Sequence, residues 1–461
     1  MNKKNTDLNI KIPYSAAEAL RTLEAAGYEA WCVGGCVRDA IRGDTPHDWD
    51  VCTSALPEQT LSAFSKYKTI PTGLKHGTVT AVIKGEQIEI TTYRTDGDYL
   101  NHRSPEQVQF VRDIRSDLER RDFTMNAICA NLHGEILDLF GGCEDISAGI
   151  IRCVGDPKKR FDEDALRILR AVRFAAKTGF EIEKNTADAA IAMRSLLDSV
   201  SAERILSELR SLLVQRYAGD ALRKYRGIIA QIIPEAAPCF DFPQNNPHHC
   251  FDVWTHITHS VDHIDPDQTL RTVMLLHDIG KPDKFFADEN GISHFKQHQL
   301  KSADYANEIL LRLKSDTASR KYICKLIAEH DNRIPPQKKA VRRFIAKYDY
   351  NFFFDWLKVR RADTMAQSDY RKTEKLAELD KLEELAHELQ CEEACMKLSQ
   401  LKVNGKDMIS LGIKGKEIGE TLNALLSEVI EENLPNEREA LLAAAVNMKG
   451  LSLIHISEPT R

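Results

Sequence analysis

The sequence predicts an α+β fold, in which a mixed head of about 150 residues precedes an all-helical neck, body and tail. Strand patterns lie at 30–33, 49–52, 78–83, 87–92 and 107–111, after a helical pattern at 14–26. Beyond Phe161 the apolar residues recur at helical spacing, at Leu166, Leu169, Val172 and Phe174. Helical patterns then continue along nearly the whole chain, with breaks at IIPEAAP, FPQNNPHH and NRIPPQ.

Length and composition indicate a soluble globular protein of several domains. The 461 residues exceed one ordinary core, so we expect two to four domains. No apolar run approaches the ~20 residues that a membrane span needs, and the N-terminal MNKKNTDLNIKI lacks the apolar core of a signal peptide. The eleven cysteines include no CxxC pair, and we interpret them as reduced thiols of a cytoplasmic protein.

The expected domain plan follows these changes of pattern. We expect a head at 1–150, a helical neck and body at 151–240, a domain rich in histidine and aspartate at 241–370 and a helical tail at 371–450. Residues 451–461, LSLIHISEPTR, match the translation of a transposase sequencing adapter. We expect this segment to be an artefact and exclude it from the fold prediction.

A strand, a Gly-Gly turn, an arginine and two spaced aspartates follow one another between residues 30 and 50. Gly34 and Gly35 let backbone N–H groups approach a phosphate without a Cβ in the way, and Arg38 follows within one helical turn. Asp48 and Asp50 share a face if the chain is extended there, where they can hold two Mg²⁺ ions for nucleotidyl transfer. A DxD pair alone is common on solvated loops and a lone Gly-Gly is usually a turn, but their ordered combination favours the phosphate site.

Two further motifs complete this pattern, RRDFTMNA at 120–127 and RFDEDALRILRAVRF at 160–174. With GGCVRD and DWD they resemble the nucleotidyltransferases related to DNA polymerase β. Within that superfamily they resemble the bacterial class II tRNA nucleotidyltransferases, which are relatives of the bacterial poly(A) polymerases. The resemblance covers nearly all of residues 14–450. It implies a polymerase-β-like head and template-independent addition of CCA to tRNA 3′ ends from CTP and ATP, with Mg²⁺ as cofactor.

The resemblance also implies roles for individual residues. Asp48 and Asp50 match the catalytic carboxylates that bind Mg²⁺. The positions that match nucleotide-binding residues are Gly34, Gly35, Arg38, Arg121, Asp122, Asn126, Asp164, Arg167, Arg170 and Arg173. Glu89, on a strand next to the DxD strand, is either a third carboxylate of the site or an ordinary exposed strand residue.

Asp164 and Arg167 match the pair that acts as a protein template for the incoming base. Their i, i+3 spacing predicts one shared face of a helix. A carboxylate accepts from the exocyclic amino group of cytosine or adenine, and an arginine donates to ring acceptors. Guanine and uracil would leave buried groups unpaired, at about 1–3 kcal/mol each. On an arbitrary helix such a pair is usually a plain salt bridge; here the neighbouring motifs favour the template role, and Arg170 and Arg173 continue this face toward phosphates.

The helical half carries a second candidate site, with histidine and aspartate in the order H…HD…D. This pattern resembles the HD phosphohydrolase domain, whose central dipeptide is found here in LLHDIGKP. The implied metal ligands are His256, His277, Asp278 and Asp363, with His298 and His330 extending the set toward two metals. Mixed imidazole and carboxylate ligands suit a divalent transition metal. In some relatives such a domain is only architecture, so hydrolysis stays open. The histidines interpreted as ordinary ones are His248, His249, His259, His263 and His294.

Several functional alternatives remain. A poly(A) polymerase, or an enzyme that adds only A or only CC, belongs to the same superfamily, although the long loop Arg94–Pro105 argues against CC-only addition. An HD phosphohydrolase with an RNA-binding head conflicts with the intact motifs of that head. The net charge of −6 does not itself indicate nucleic-acid binding, but basic side chains concentrate between Arg112 and Lys177. We expect tRNA, CTP and ATP as partners, no membrane and no obligate protein partner.

Overall fold

A computed structural model of the chain describes residues 10–96 and 108–456. The chain forms two compact units, residues 1–240 with 308–317 and residues 241–307 with 318–461. Among the described helices, none combines the length and apolar character that a bilayer crossing requires. Residues 97–107, which hold most of the predicted loop Arg94–Pro105, lie outside the described ranges.

The first unit opens with a mixed α/β region. Its elements are α1 (Tyr14–Ala25), β1 (Ala30–Val33), α2 (Gly35–Arg42), β2 (Asp50–Thr53), α3 (Pro57–Ala63), β3 (Lys68–Gly73), β4 (Thr78–Ile83), β5 (Glu86–Thr92), β6 (Arg94–Asp96), β7 (Val108–Phe110), α4 (Ile114–Glu119), β8 (Ile128–Ala130), β9 (Ile136–Asp138), α5 (Gly142–Ala148) and β10 (Ile150–Ile151). Single 3₁₀ turns lie at Leu74–His76 and Thr124–Asn126.

Seven of these strands form one sheet in the order β3-β4-β5-β2-β1-β8-β9. β2 runs parallel to β5, and the other neighbours in this sheet are antiparallel. Because Cys32 lies opposite Val51, the end of β1 meets the start of β2. Leu118 and Cys129 contribute to the core beneath these strands. The sheet therefore brings the Gly-Gly turn next to Asp50, although the two are distant along the chain.

The predicted helix at 14–26 and the predicted strands at 30–33, 49–52, 78–83 and 87–92 are confirmed to within one residue at each end. The strands β3, β8 and β9 were not predicted. β3 contains Pro71 and Gly73, which are rare inside strands, and β8 and β9 are three residues long each. Such short segments carry too few alternating positions to reveal a period of two.

The rest of the first unit is helical. Its elements are α6 (Pro157–Glu163), α7 (Leu166–Thr178), β11 (Glu181–Ile182), α8 (Lys184–Ala192), α9 (Ala202–Leu213), α10 (Ala218–Lys224) and α11 (Arg226–Ile232), with 3₁₀ turns at Arg194–Ser199 and Pro234–Cys239. The predicted apolar stripe on α7 is confirmed, since Leu166, Leu169, Val172 and Phe174 are all buried. Arginines on α7 lie beside this stripe and so reach the functional site.

The remaining elements run from α12 to α21. They are α12 (Val253–Asp262), α13 (Gln268–Leu276), β12 (Phe286–Ala287), β13 (Ser293–His294), α14 (His298–Arg312), α15 (Thr317–Glu329), α16 (Lys338–Lys347), α17 (Tyr350–Met365), α18 (Lys372–Cys391), α19 (Gly405–Ser410), α20 (Lys416–Ile430) and α21 (Arg438–Ile456), with 3₁₀ turns at Pro282–Lys284 and Leu398–Gln400. α21 thus includes residues 451–456 of the adapter-like segment.

Two short strand pairs involve residues after 151, where the sequence predicts only helices. β10 pairs in parallel with β11, and β12 pairs antiparallel with β13. The β12–β13 turn is held by Asp288, whose side chain accepts from the backbone N–H groups of Asn290 and Ile292, and by Gly291 at φ +75°. Local turn chemistry of this kind carries no apolar period, so the sequence patterns did not show it.

Candidate functional site

The Gly-Gly turn lies where β1 passes into α2. Gly34 has φ +82° and ψ −126°, a conformation that glycine adopts far more readily than other residues. A Cβ on Gly34 would lie 3.2 Å from Nη1 of Arg121. α2 begins at Gly35 and carries Arg38, whose side chain is buried. The predicted order of strand, glycine turn and arginine-bearing helix is therefore confirmed.

Asp50 is the first residue of β2, and it lies in register with Glu89 on β5. Asp50 is exposed on one side, and its pKa is raised to about 6, first because neighbouring protein atoms partly desolvate the carboxylate and then because Glu89 and Asp48 are close, while Arg121 opposes the shift. Asp48 precedes β2, so the strand itself contains only Asp50 of the two aspartates. Crowded carboxylates of this kind favour binding of a cation or a proton.

A chain of hydrogen bonds joins the first motif to α7. Arg38 Nη1 donates to Asn126 Oδ1 at 2.6 Å, and Asn126 Nδ2 donates to Asp122 Oδ1 at 3.0 Å. Arg170 donates from Nε and Nη2 to the other oxygen of Asp122, at 2.9 and 2.6 Å. Burial would raise the pKa of Asp122, but Arg170 and Asn126 outweigh it and lower the pKa to about 2. Asp122 is therefore an anion, and it orients Asn126 of its own motif and Arg170 of α7.

Arg121 enters the same space from the RRDFT motif. Its Nη2 lies 3.3 Å from Asp117 Oδ2. Its Nε is buried and has no hydrogen-bond partner among the described residues. A buried donor without an acceptor is costly unless a ligand completes it. This guanidinium is thus suited to an anionic ligand beside Asp50.

Asp164 and Arg167 do not share a continuous helix, so the predicted i, i+3 geometry is wrong. α6 ends at Glu163, Asp164 is extended at φ −140°, and α7 begins at Leu166. Asp164 instead accepts the backbone N–H of Leu166, as aspartate commonly does at helix starts. Both side chains still reach one cavity, because the break in the helix turns Asp164 toward it.

The two members of this pair have separate ionic partners. Arg167 pairs with Glu163 at 2.8 Å and also donates to the carbonyl oxygens of Arg160 and Arg120. Asp164 pairs with Arg204 of α9, at 3.0 and 3.2 Å. Sequence reasoning missed Arg204, because nothing in its local pattern distinguishes it from an ordinary helix arginine.

One cavity of about 490 Å³ unites the predicted head residues, apart from Asp48. Those that line it are Gly34, Gly35, Arg38, Asp50, Arg121, Asp122, Asn126, Asp164, Arg167, Arg170 and Arg173. The lining residues not predicted are Arg120, Leu166, Phe174, Lys177 and Arg204. Arg173 pairs with Glu208 and Lys177 pairs with Asp39, the latter at 3.0 Å. With eight basic and three acidic residues in its lining, the cavity is suited to a polyphosphate.

The second unit brings together all six predicted HD residues. His256, His277, Asp278 and His330 are at most 2% exposed, and His298 and Asp363 are 8% exposed. In each of the four histidines, Nδ1 lies 2.7 to 3.3 Å from a backbone carbonyl oxygen. The carbonyl acceptors belong to Ala366, Met274, Phe295 and Ile327. A carbonyl only accepts, so Nδ1 carries the proton and each Nε2 is free to act as a metal ligand.

Asp278 lies between two groups of potential ligands. Its Oδ2 is 3.2 Å from His256 Nε2 and 3.3 Å from His277 Nε2. Its Oδ1 is 3.0 Å from His298 Nε2 and 3.6 Å from His330 Nε2. The ligand atoms in each of these groups lie within 4.8 Å of one another. The geometry thus fits two neighbouring cations that share the Asp278 carboxylate.

The electrostatics of this cluster also suit a bound cation. His256 Nε2 is 3.0 Å from Asp363 Oδ1, and Nε2 of His256 and of His277 are buried without a hydrogen bond among the described residues. Burial alone would lower the pKa of His256, but contact with Asp278 and Asp363 raises it to about 9. Lone pairs of nitrogen and oxygen facing one another are stable only with a proton or a metal between them.

The cavity at this cluster has a volume of about 460 Å³, and several of its residues were not predicted. His248, His249 and His294, interpreted above as ordinary histidines, all line it. Basic side chains of Lys281, Lys296, Arg333 and Lys375 also line it. The sequence did not reveal them because they come from separate loops and from α18.

Comparison with known protein families identifies three segments. Residues 30–152 match a poly A polymerase head domain, residues 179–240 match an RNA and SrmB-binding site of polymerase A, and residues 292–445 match a tRNA nucleotidyltransferase domain 2. The matched head segment contains the Gly-Gly turn, Asp48, Asp50 and the RRDFT motif.

Individual relatives give the same result. The CCA-adding enzyme of Ligilactobacillus salivarius is 34% identical over 94% of this chain and 97% of its own length. The CCA-adding enzyme of Geobacillus thermodenitrificans is 49% identical over 46% of this chain. That match covers 52% of the relative, so the chain spans about half the length of the curated relatives that it matches at the higher identities. The crystal structure of the Bacillus stearothermophilus CCA-adding enzyme with CTP is 29% identical, with a TM-score of 0.75 over 96% of this chain and 98% of that one.

Proposed function

Because this chain belongs to the family of CCA-adding enzymes, we propose that it adds CCA to tRNA 3′ ends without a nucleic-acid template, using CTP and ATP. One observation carries the proposal. The Gly-Gly turn, Asp50, Arg121, Asp164 and Arg167 all line a single basic cavity. Each of these features suits a different part of a nucleoside triphosphate, so their meeting in one cavity favours nucleotidyl transfer.

Asp48 and Asp50 are the residues that we propose to hold Mg²⁺. Hard oxygen ligands suit this ion, and the raised pKa of Asp50 beside Glu89 and Asp48 is what a site short of positive charge produces. When bound, Mg²⁺ supplies charge stabilisation at the attacking and leaving oxygens. We propose that the triphosphate is bound by Arg38, Arg121 and the backbone of the Gly-Gly turn. Glu89 remains a candidate third ligand.

Asp164 and Arg167 are proposed to select the base. Asp164→Ala and Arg167→Ala should therefore admit UTP or GTP before they remove activity, because neither side chain acts on the reacting phosphate. Full selectivity for CTP and ATP in both variants, at reduced rate, would show that the template residues lie elsewhere.

The decisive experiment compares three RNA acceptors with single nucleotides, followed by sequencing of the products. tRNA lacking CCA, tRNA ending in CC and oligo(A) are each incubated with CTP, ATP or both. Addition of CCA to the first acceptor supports the proposal. Addition of only CC or only A, or extension of oligo(A), would instead establish a partial tRNA nucleotidyltransferase or a poly(A) polymerase.

A second function is supported by the six predicted histidine and aspartate ligands of the second unit, which we call the HD cluster. We propose that His256, His277, Asp278 and Asp363, with His298 and His330, hold divalent transition metals that support phosphoester hydrolysis. The observation that carries this is the set of four imidazoles, whose Nδ1 atoms all face carbonyls. Bound metal would supply a water of lowered pKa as nucleophile. A 2′,3′-cyclic phosphate on a damaged tRNA end is a suitable substrate, because it must be removed before CCA addition.

Two measurements test the second function. Elemental analysis of the purified protein should find divalent metal, and 2′,3′-cyclic nucleotides should be hydrolysed when Ni²⁺ or Mn²⁺ is added. Bound metal without hydrolysis would indicate that the metal has only a structural role. Absence of both would reduce this part of the chain to a scaffold for tRNA.

The domain plan and the location are proposals as well. We propose a head at 1–150, a nucleotide-template and RNA-binding region at 151–240, an HD domain at 241–370 and a tail at 371–450. The division between the two compact units after residue 240 supports the boundary between the second and third of these regions, although residues 308–317 belong to the first unit. A cytoplasmic location suits an enzyme that acts on tRNA, and eleven cysteines without a disulfide suit a reducing compartment.

A further inference from the structure

The cavity of the HD cluster is larger than metal ions alone require. Metal-ligand candidates such as Asp278 and His330 line it together with Arg333 and Lys375. A volume of about 460 Å³ leaves space for an organic ligand beside the proposed metal ligands. The basic residues of the lining are therefore available to such a ligand.

Lys375, on α18, is partly buried and has only neutral partners. Its Nζ donates to Gln367 Oε1 at 2.6 Å and lies 3.1 Å from His248 Nδ1. Neither of these partners is a carboxylate, and no ion pair of Lys375 is found among the described residues. Burial lowers the pKa of Lys375, and Arg333 adds to this effect while Asp363 opposes it. An ammonium in such a place is costly unless an anion joins it.

Arg333 lies three residues after His330 and faces the same cavity. It makes no salt bridge or hydrogen bond to the described residues. Lys281, by contrast, pairs with Asp278 at 2.6 Å. Within the described ranges, the cations that line this cavity without a carboxylate partner are thus Arg333, Lys375 and the exposed Lys296, and Lys296 lies over the ring of Phe286.

Gln367 connects these cations to the proposed metal centre. Its Nε2 donates to Asp363 Oδ1 at 3.1 Å, while its Oε1 accepts from Lys375. An anion bound by Lys375 would therefore lie one side chain away from Asp363, a proposed metal ligand.

We propose that Lys375 and Arg333 form a binding subsite for a second phosphate, so that the substrate of the HD cavity carries two phosphate groups. This inference rests on the second proposed function. It defines the substrate class as a nucleotide, or the end of a nucleic acid, with one phosphate at the metals and another at Lys375 and Arg333. A nucleoside with a single phosphate would leave the subsite empty.

The test compares binding of adenosine 3′,5′-bisphosphate and adenosine 3′-phosphate by isothermal titration calorimetry. The unmodified protein should bind the bisphosphate about 10-fold more tightly, which corresponds to one charge-assisted contact. Lys375→Gln and Arg333→Gln should each remove this preference without changing the metal content, and Lys375→Arg should keep it. The matched control is Lys381→Gln, which replaces a lysine on the same helix that pairs with Glu384.

The outcomes separate the subsite from the hydrolytic function. Equal binding of the two nucleotides by the unmodified protein, or a preference that survives in Lys375→Gln and Arg333→Gln, overturns the subsite. If Lys375→Gln fails to fold, the exposed Arg333→Gln still decides. A preference that both substitutions abolish, in a protein without metal or hydrolysis, supports the subsite and refutes only the second function.

Discussion

Arg204 Nη2 lies 3.0 Å from Oδ2 and 3.2 Å from Oδ1 of Asp164. The carboxylate that we propose to read the incoming base is therefore held by a cation from α9, which is distant in sequence. Both residues line the nucleotide cavity. Arg204 is thus placed to orient the Asp164 carboxylate within this cavity.

Arg204→Ala should reduce base selectivity without abolishing nucleotide addition. Loss of the ion pair frees the Asp164 carboxylate to rotate, so the discrimination of CTP and ATP against UTP should fall about 10-fold, the loss of one charge-assisted contact. The measurement is kcat/KM for each nucleotide on tRNA lacking CCA. Arg194→Ala is the control, because Arg194 is exposed and, among the described residues, its side chain bonds only to the carbonyl of Ile191. Unchanged selectivity would mean that Asp164 is positioned by its own backbone.

The sequence predicted the parts of the site that depend on local pattern. The Gly-Gly turn, the helix with Arg38 and the apolar stripe of α7 each follow from spacing within a few residues, and the structure confirms them. The HD residues also converge as the resemblance implied.

The site residues that the sequence analysis missed or misplaced depend on contacts between distant segments or on hydrogen bonds at helix ends. Asp164 lies outside a helix because its side chain competes for backbone N–H groups, which helical spacing cannot reveal. Arg204 and Lys375 become site residues only when α9 and α18 pack in place. The sequence pattern indicates an ordinary histidine at His249, because this residue falls outside the H…HD…D order. In the structure, however, its ring centre lies 4.9 Å from that of His256.

Replacing either aspartate of the DxD motif should separate chemistry from RNA binding. Asp48→Ala or Asp50→Ala should lower nucleotide addition by at least about 100-fold, because these groups act only in the reaction. tRNA affinity should stay nearly unchanged, since it comes from basic residues. Asp44→Ala, which removes an exposed carboxylate paired with Arg42, is the control. Addition that persists when both aspartates are replaced would place the metal site elsewhere.

The raised pKa of Asp50 predicts the acid limb of the activity profile. A protonated carboxyl is a poor metal ligand, so kcat/KM should fall as the pH drops through about 6. Glu89→Gln removes one cause of the shift and should move this limb to lower pH, by about half a unit. Glu58→Gln, at an exposed position on α3, should leave it in place. Loss of activity at every pH in Glu89→Gln would instead identify Glu89 as a third ligand.

Asp122→Asn should destabilise the first unit in a pH-dependent way. The pKa of Asp122 is lowered to about 2 in the folded chain, so its contribution is present above the unfolded value near 3.9 and is lost as the pH falls through 2. The expected cost at pH 7 is about 2 kcal/mol, and it should shrink below pH 3. Urea unfolding at pH 7 and below pH 3 measures it, with Asp188→Asn, at an exposed position of α8, as control. A cost independent of pH would show that hydrogen-bond geometry dominates over charge.

Asp278→Asn should impair the proposed metal site of the second unit and leave the nucleotide site of the first unit active. Asp278 lies within reach of both groups of potential metal ligands, so its replacement should remove most of the bound divalent metal and any phosphoester hydrolysis. CCA addition should stay within about twofold, because Asp48 and Asp50 provide an independent site for Mg²⁺. Asp304→Asn, an exposed change on α14, controls for a general loss of charge.

The neutral amide in Asp278→Asn leaves Lys281 without its carboxylate partner, so a lower melting temperature is also expected. His298→Gln, which leaves that ion pair intact, should reduce the metal content without the same loss of stability. If a folded Asp278→Asn protein no longer adds CCA, the two centres are not independent.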